Sequence, residues 1–173
     1  MIQLRKANIT DLKTLEYWDE QEHVMESDPS DGWNWAVELA IYPEWREQLM
    51  AEISGKPIGC IQIIDPAKEE SKYWGEIEEN KRAIDIWIGE KENLGKGYGT
   101  EMMNKALEIC FANTEVDEVL IDPLESNKKA IRFYKKIGFE FKERRVFSGD
   151  NCAVYSISRN KWQNQRNIAP III

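Results

Sequence analysis

The 173-residue chain has a single histidine, His23. A histidine-centred triad or a histidine-rich metal site has almost nothing to be built from. Cysteine is nearly as scarce. Cys60, Cys110 and Cys152 are odd in number and widely spaced, which argues against a disulfide framework and against zinc. No metal is expected, and Cys60 and Cys110, set in apolar runs, read as small core residues. No apolar run approaches a membrane span. The opening Met1-Ile2-Gln3-Leu4-Arg5-Lys6 lacks a long apolar h-region. Membrane association is not expected, and a cytoplasmic location follows by default. Positive charge is in deficit: 23 Lys and Arg face 31 Asp and Glu, a formal net charge of −8. Nucleic acid needs a basic patch and is a poor partner. An acidic surplus favours solubility, and it also attracts cationic substrates. It is not a disordered tail, because Glu69–Glu70 and Glu76, Glu78 and Glu79 sit mid-chain.

What is present suits one domain with a full core, as 42% of residues are hydrophobic and 31% charged. We read residues 1–160 as that domain and 161–173 as a C-terminal tail, unassigned beyond Trp162. A strand at 2–6 precedes a helix capped by Thr10 and running from about Asp11 to Glu20. Asp28-Pro29-Ser30-Asp31-Gly32 reads as a loop. A second helix covers Trp35–Leu39 or starts after Pro43. Strands Gln48–Ile53 and Ile58–Ile64 flank the turn Ser54-Gly55-Lys56-Pro57, a hairpin signal. The polar stretch Asp65–Lys81 is long for a simple turn, and long ordered loops often carry function. In Ala83–Gly89 alternation is strict, with Ile84, Ile86 and Ile88 on one face and Ala83, Asp85 and Trp87 on the other. A helix follows to about Phe111, with Met102, Met103, Ala106, Leu107 and Cys110 at helical spacing. A short strand, Val119–Ile121, ends at Asp122-Pro123. Ser126 caps a helix to Ile137, stopped by Gly138. Strands Phe139–Phe147 and Ala153–Ser158 meet through Ser148–Asn151. The pattern, β-α-α-β-β-β-α-β-α-β-β, makes an α/β protein with a mixed sheet and helices on both faces.

Gly95, Gly97 and Gly99 lie between a strand end and a helix start. Glycine lets backbone N–H groups approach an anion closely, and the first turn of a helix leaves amides unpaired at its positive end. The segment Asn93–Thr100 is thus suited to phosphate. The third glycine comes too early for a dinucleotide fingerprint, and Lys96 is misplaced for a Walker loop.

Strand, Gly-x-Gly-x-Gly, helix and strand, followed by Asn127, Ala130, Phe133, Tyr134, Gly138 and Phe139, resembles the GCN5-related N-acetyltransferases. The resemblance spans about residues 2–158. Ile84-Asp85, the run Leu94–Thr100, and Asp122-Pro123-x-x-Ser126-Asn127-x-x-Ala-Ile131-Arg132-x-Tyr134 are similar, more narrowly, to the aminoglycoside 6′-N-acetyltransferases. The N-terminal third matches less clearly. The resemblance implies a central mixed, mostly antiparallel sheet, acetyl-CoA as cosubstrate and a small cationic amine as acceptor, in a monomer or homodimer. It places the pyrophosphate on Gly95, Lys96, Gly97, Tyr98, Gly99 and Thr100. One departure is Leu94, where the family usually has Arg or Gln, so backbone amides would carry more of the binding.

An amine must be neutral to attack a thioester. With a pKa of about 10.4, only on the order of one molecule in a thousand is neutral at pH 7. A carboxylate beside it attracts the ammonium and then takes a proton, directly or through water. Asp85 is the candidate, since strand interiors are poor in Asp. Asp122, at a strand end facing the crevice of an open sheet, is a second acceptor contact, or an ordinary turn aspartate. Tyr134 is the general acid that the resemblance implies. Full proton transfer from a phenol to a thiolate is uphill by about 2 kcal/mol, so hydrogen bonding alone can serve. Family likeness also implies that Trp87, Ile88 and Gly89 pair with the pantetheine amides across a bulge at Gly89, with a backbone N–H there meeting the acetyl oxygen. Asn127 would contact the cofactor or simply start a helix. Trp74 could stack a sugar ring, and His23 could reach the pocket. Alternatives are the same fold acting on a protein N-terminus, lysine, polyamine or siderophore amine, and a non-catalytic acyl-CoA sensor.

Overall fold

A computed structural model describes residues 1–27 and 32–167. The strands are β1 (Gln3–Lys6), β2 (Arg46–Ile53), β3 (Lys56–Ile64), β4 (Lys81–Ile88), β5 (Glu118–Ile121), β6 (Glu140–Phe147) and β7 (Asp150–Ser158). They form one seven-stranded sheet in the order β1-β2-β3-β4-β5-β7-β6. Only β4 and β5 are parallel; every other neighbour is antiparallel. The helices are α1 (Leu12–Asp19), α2 (Glu22–Met25), α3 (Trp35–Glu38), α4 (Tyr98–Ala112), α5 (Lys128–Ile137) and α6 (Arg159–Asn167).

Alternation along the strands divides the core. Ile61, Ile63 and Ile84 pack with Met102, Met103 and Leu107 of α4 and Ile131 of α5 on one face. The opposite face carries two smaller clusters. Leu15, Trp18, Trp35, Met50 and Cys60 form one, and Trp74, Ala83, Leu120, Phe147 and Val154 the other. Both hairpins turn on two residues with positive φ, Ser54-Gly55 (50° and 77°) and Ser148-Gly149 (49° and 94°). That is the geometry that matches strand twist. The turns are therefore tighter than expected from sequence, and Lys56 and Asp150 are already paired.

Helix starts shift by small steps. Asn8, not Thr10, caps the first helical turn: its Oδ1 accepts from Thr10 N at 3.0 Å, while Asp11 Oδ2 accepts from Asn8 N at 2.9 Å. Asn127, not Ser126, caps α5, its Oδ1 accepting from Ala130 N at 3.0 Å. Gly138 ends α5 at φ 117°, as its position predicts. Of the alternatives for the second helix expected from sequence, Trp35 onward is the one adopted, as the four-residue α3. In the expected loop at Asp28–Gly32, residues 28–31 lie outside the described residues, as does Ile171–Ile173 of the tail. The boundary expected at 160 falls inside α6, whose Trp162 packs on Phe111 at 5.0 Å.

The feature that positions the site is a split. β4 and β5 pair at three positions only, Lys81–Ala83 with Glu118–Leu120. Beyond Ala83 the two strands part, and β4 from Ile84 to Ile88 has β3 as its one strand partner among the described residues.

Candidate active site

The split opens a cleft of about 830 Å³. Its lining draws on both faces of the sheet, with Ile84, Ile86 and Tyr134 from one and Asp85, Trp87 and Trp74 from the other. Asp85 reaches it because strand alternation turns it away from the isoleucines. Asp122 reaches it because it follows the last residue of β5, where the strands have parted. The two aspartates singled out from sequence are thus brought together with Tyr134.

Five carboxylates line the cleft: Asp19, Glu69, Asp85, Asp122 and Asp150. Among the described lining residues there is no Lys, Arg or His. Asp19 accepts a hydrogen bond from Trp35 Nε1 at 2.5 Å, and Glu69 accepts one from Ser71 Oγ. Asp122 accepts from the Tyr73 hydroxyl at 2.7 Å, and the Tyr73 ring stacks on Phe147 at 4.5 Å. Sequence reasoning passed over Tyr73, Asp19 and Asp150. The one signal near Tyr73 was the length of the Asp65–Lys81 segment, and nothing local marked the two aspartates.

Tyr134 is 9% exposed. Burial pushes its phenol above its ordinary range, and the charges of Asp85 and Asp122 push it further. It therefore holds its proton at neutral pH, within electrostatic reach of both aspartates.

Three other expected contacts stand differently. Trp74 is 4% exposed and packs edge-on against Phe147, so it offers no open face for a sugar. The more accessible rings at the cleft are Tyr73 and the half-buried Trp33 and Trp87, and Trp33 stacks on Trp35 at 5.4 Å. His23 lies outside the lining, and its Nε2 bonds the Ile88 carbonyl at 2.9 Å, donating because a carbonyl only accepts. Asn127 lines the cleft, but its side-chain oxygen serves as the α5 cap.

The free edge of β4 also needs a correction. Gly89 N donates to Ile58 O at 3.0 Å. Backbone groups of alternate residues point to alternate sides, so Gly89, Trp87 and Asp85 direct theirs to β3. The edge facing the split belongs to Ile84, Ile86 and Ile88. Trp87 and Gly89 direct their backbone groups away from the split; of Ile88, whose carbonyl already accepts from His23, the N–H faces it. The β3–β4 register runs without a shift to Ile88, so there is no bulge at Gly89. The glycine is required for another reason: a Cβ would lie 1.9 Å from the Trp18 indole.

The glycine-rich segment follows a short 3₁₀ turn, Lys91–Asn93, and an exposed Leu94. Gly95 and Gly97 have φ of 74° and 84°, and nothing crowds either. Positive φ, not lack of room, selects glycine at both. Gly97 starts α4 without any side-chain cap, leaving the first-turn amides of Tyr98, Gly99 and Thr100 to an outside acceptor. Gly99 lies under the Phe133 ring, which a Cβ would meet at 3.4 Å. Lys96 is exposed, with Nζ 3.5 Å from Asn93 Oδ1. No group of three or more metal-ligating side chains occurs among the described residues. No helix among them is long and apolar enough to cross a membrane.

Comparisons with known proteins fit this geometry. The family profile described as "Acetyltransferase (GNAT) domain" matches residues 8–147. Aminoglycoside N(6′)-acetyltransferase type 1 of Klebsiella pneumoniae is 34% identical over 122 residues, 69% of this chain and 60% of that protein. The chain thus matches about 60% of the length of that curated relative. The crystal structure of aminoglycoside acetyltransferase AAC(6′)-Ib with coenzyme A and kanamycin superposes with a TM-score of 0.86 at 26% identity, covering 96% of this chain and 99% of that one. Spermidine N-acetyltransferase from Vibrio cholerae, in complex with CoA and spermine, shares the fold with a TM-score of 0.74 at 20% identity, covering 94% of this chain and 98% of that one.

Proposed function

The chain belongs to the acetyltransferase (GNAT) family, and from that premise we propose that it moves the acetyl group of acetyl-CoA to a primary amine of a polycationic acceptor, the 6′-amine of an aminoglycoside. The observation that carries the acceptor class is the cleft lining, five carboxylates with no basic side chain among the described residues. The Klebsiella relative, named for aminoglycoside N(6′)-acetylation, narrows the class.

The glycine segment and the α4 start supply amides for the pyrophosphate. The free edge of β4 accepts the pantetheine as an added strand. The acetyl carbonyl then lies in the split, near a peptide N–H of that edge that can take the developing oxyanion. The acceptor ammonium docks among Asp85, Asp122 and Asp150. Asp85 takes its proton, directly or through a water, and the freed nitrogen attacks the thioester carbon. The tetrahedral oxyanion then collapses and the C–S bond breaks; the nitrogen's surplus proton passes, directly or through water, to the departing thiolate, to which Tyr134 donates a hydrogen bond. Tyr73 and Trp33 offer ring faces to the acceptor's apolar surfaces.

The test is thiol release from acetyl-CoA with kanamycin, tobramycin, spermidine and a lysine peptide. We expect kcat/KM for the best aminoglycoside to exceed that for spermidine and the peptide by at least about tenfold, a margin of roughly 1.4 kcal/mol in transition-state binding. Turnover of spermidine alone would move the acceptor to the polyamines. No turnover of any amine would sink the enzymatic reading.

A further inference from the structure

Gln48, Gln62 and Asp85 stand side by side across β2, β3 and β4. Gln48 is the register partner of Gln62, and Gln62 is the partner of Asp85. Directly opposed residues share a face, so all three side chains belong to the cleft side of the sheet. Because Asp85 directs its backbone to β3, Gln62 and Asp85 form a hydrogen-bonded pair, with Cα atoms about 5.5 Å apart. Gln48 and Gln62 form the closer type of pair, at about 4.5 Å.

Gln62 is 0% exposed, and neither its Nε2 nor its Oε1 has a hydrogen-bond partner in the protein. The Gln48 Nε2 is likewise buried without one. Two residues from Gln62 on the same face of β3 lies Cys60, in an apolar cluster with Met50 and Trp87. An apolar side chain would fill this position without cost, whereas each unsatisfied buried group costs about 1–3 kcal/mol. Amides set in such a place form a polar socket. Buried water typically occupies a site with two to four polar partners. Gln48 Nε2, Gln62 Nε2 and Oε1, and the Asp85 carboxylate provide that number.

We infer that Gln62, backed by Gln48, holds a buried water against Asp85 and thereby fixes the carboxylate that meets the acceptor amine. This rests on the reading of Asp85 as the proton acceptor. Gln62 is a positioning residue: it is fully buried and does not line the cleft. In this reading the water anchors one Asp85 oxygen and leaves the other to the acceptor. Catalytic geometry is sensitive to displacements of about 1 Å, which can change rates by roughly 10²-fold.

The decisive variant is Gln62→Met, of equal length and apolar. It should lower kcat about tenfold or more on the best acceptor of the wild-type enzyme, with KM for acetyl-CoA within about twofold. Its melting temperature should equal or exceed that of the wild type. In an Asp85→Asn background the same change should alter kcat by less than about twofold, because the group it positions is gone. A crystal structure of the wild type should show an ordered water bridging Gln62 and Asp85. An active wild type with kcat unaffected by Gln62→Met, or effects that simply multiply in the double variant, overturns the inference alone. So does failure of both Gln62→Met and Gln62→Leu to fold, since Gln62 would then be structural. A wild type inactive on every amine sinks the proposed function instead.

Discussion

A phenol is of use beside a departing thiolate only while it keeps its proton. Tyr134 keeps it, because burial and then the Asp85 and Asp122 charges all disfavour the phenolate. The sign follows directly: with its pKa raised, the protonated form persists from neutral pH past the ordinary phenol range of about 10. Full transfer to a thiolate becomes more uphill than for an ordinary tyrosine, so hydrogen-bond donation is the part that the proposed mechanism asks of it. Tyr134→Phe keeps the ring contacts with Phe133 and Phe139 and should lower kcat by about 10- to 100-fold, with acceptor KM little changed. The pH–rate profile should keep its shape up to about pH 9.5. A wild-type alkaline limb near pH 8–9 that vanished in the variant would show that Tyr134 titrates and would overturn the donor role. Tyr134 and Asp85 were legible in sequence because one sits in a motif and the other breaks an apolar strand. Tyr73 was not: its hydroxyl bonds Asp122, 49 positions away, and its ring is held by Phe147.

At the scale of elements, strands and turns were legible because their signals are local. Alternation marks β4, and Ser-Gly pairs mark both hairpins. Helix caps moved by one or two residues because adjacent side chains are both competent: Asn8 and Thr10 at one start, Ser126 and Asn127 at another. Geometry then chooses which oxygen reaches the free amide. Gly89 is a clearer failure of local reasoning. A glycine at a strand end suggests a bulge, but its cause lies 71 positions upstream in the Trp18 indole, which a Cβ would strike at 1.9 Å. Gly89→Ala should therefore destabilise by about 2–3 kcal/mol, the cost of forcing atoms into a packed core. For a domain of this size that lowers the melting temperature by roughly 5–10 °C. Thermal unfolding measures it directly, and an unchanged transition would mean that the Trp18 contact does not constrain this strand end.

At the scale of the molecule, a net charge of −8 says nothing about where the charge sits. The acidic clusters conspicuous in the sequence are mostly not at the site. Glu78 pairs with Lys81, which also meets Asp117 and Glu118. Of the clustered glutamates only Glu69 lines the cleft. The other four carboxylates arrive from α1, β4, the end of β5 and the start of β7, and only the sheet order brings them together. Concentrated in one concave site, they should capture cations by a field that salt can screen. The Debye length falls from about 10 Å at 0.1 M to about 3 Å at 1 M ionic strength. KM for a polycationic acceptor should therefore rise several-fold between about 0.05 and 0.5 M NaCl, with kcat nearly constant, since screening weakens capture more than chemistry. Asp122→Asn and Asp150→Asn should each raise KM at low salt and flatten its salt dependence, because each removes a charge that the salt would otherwise screen. Acetyl-CoA, an anion that the proposed function puts at the glycine segment and away from these carboxylates, should not share the trend. An acceptor KM indifferent to salt, with the same slope in the Asn variants, would mean that shape and hydrogen bonds hold the acceptor and that the acidic lining does not.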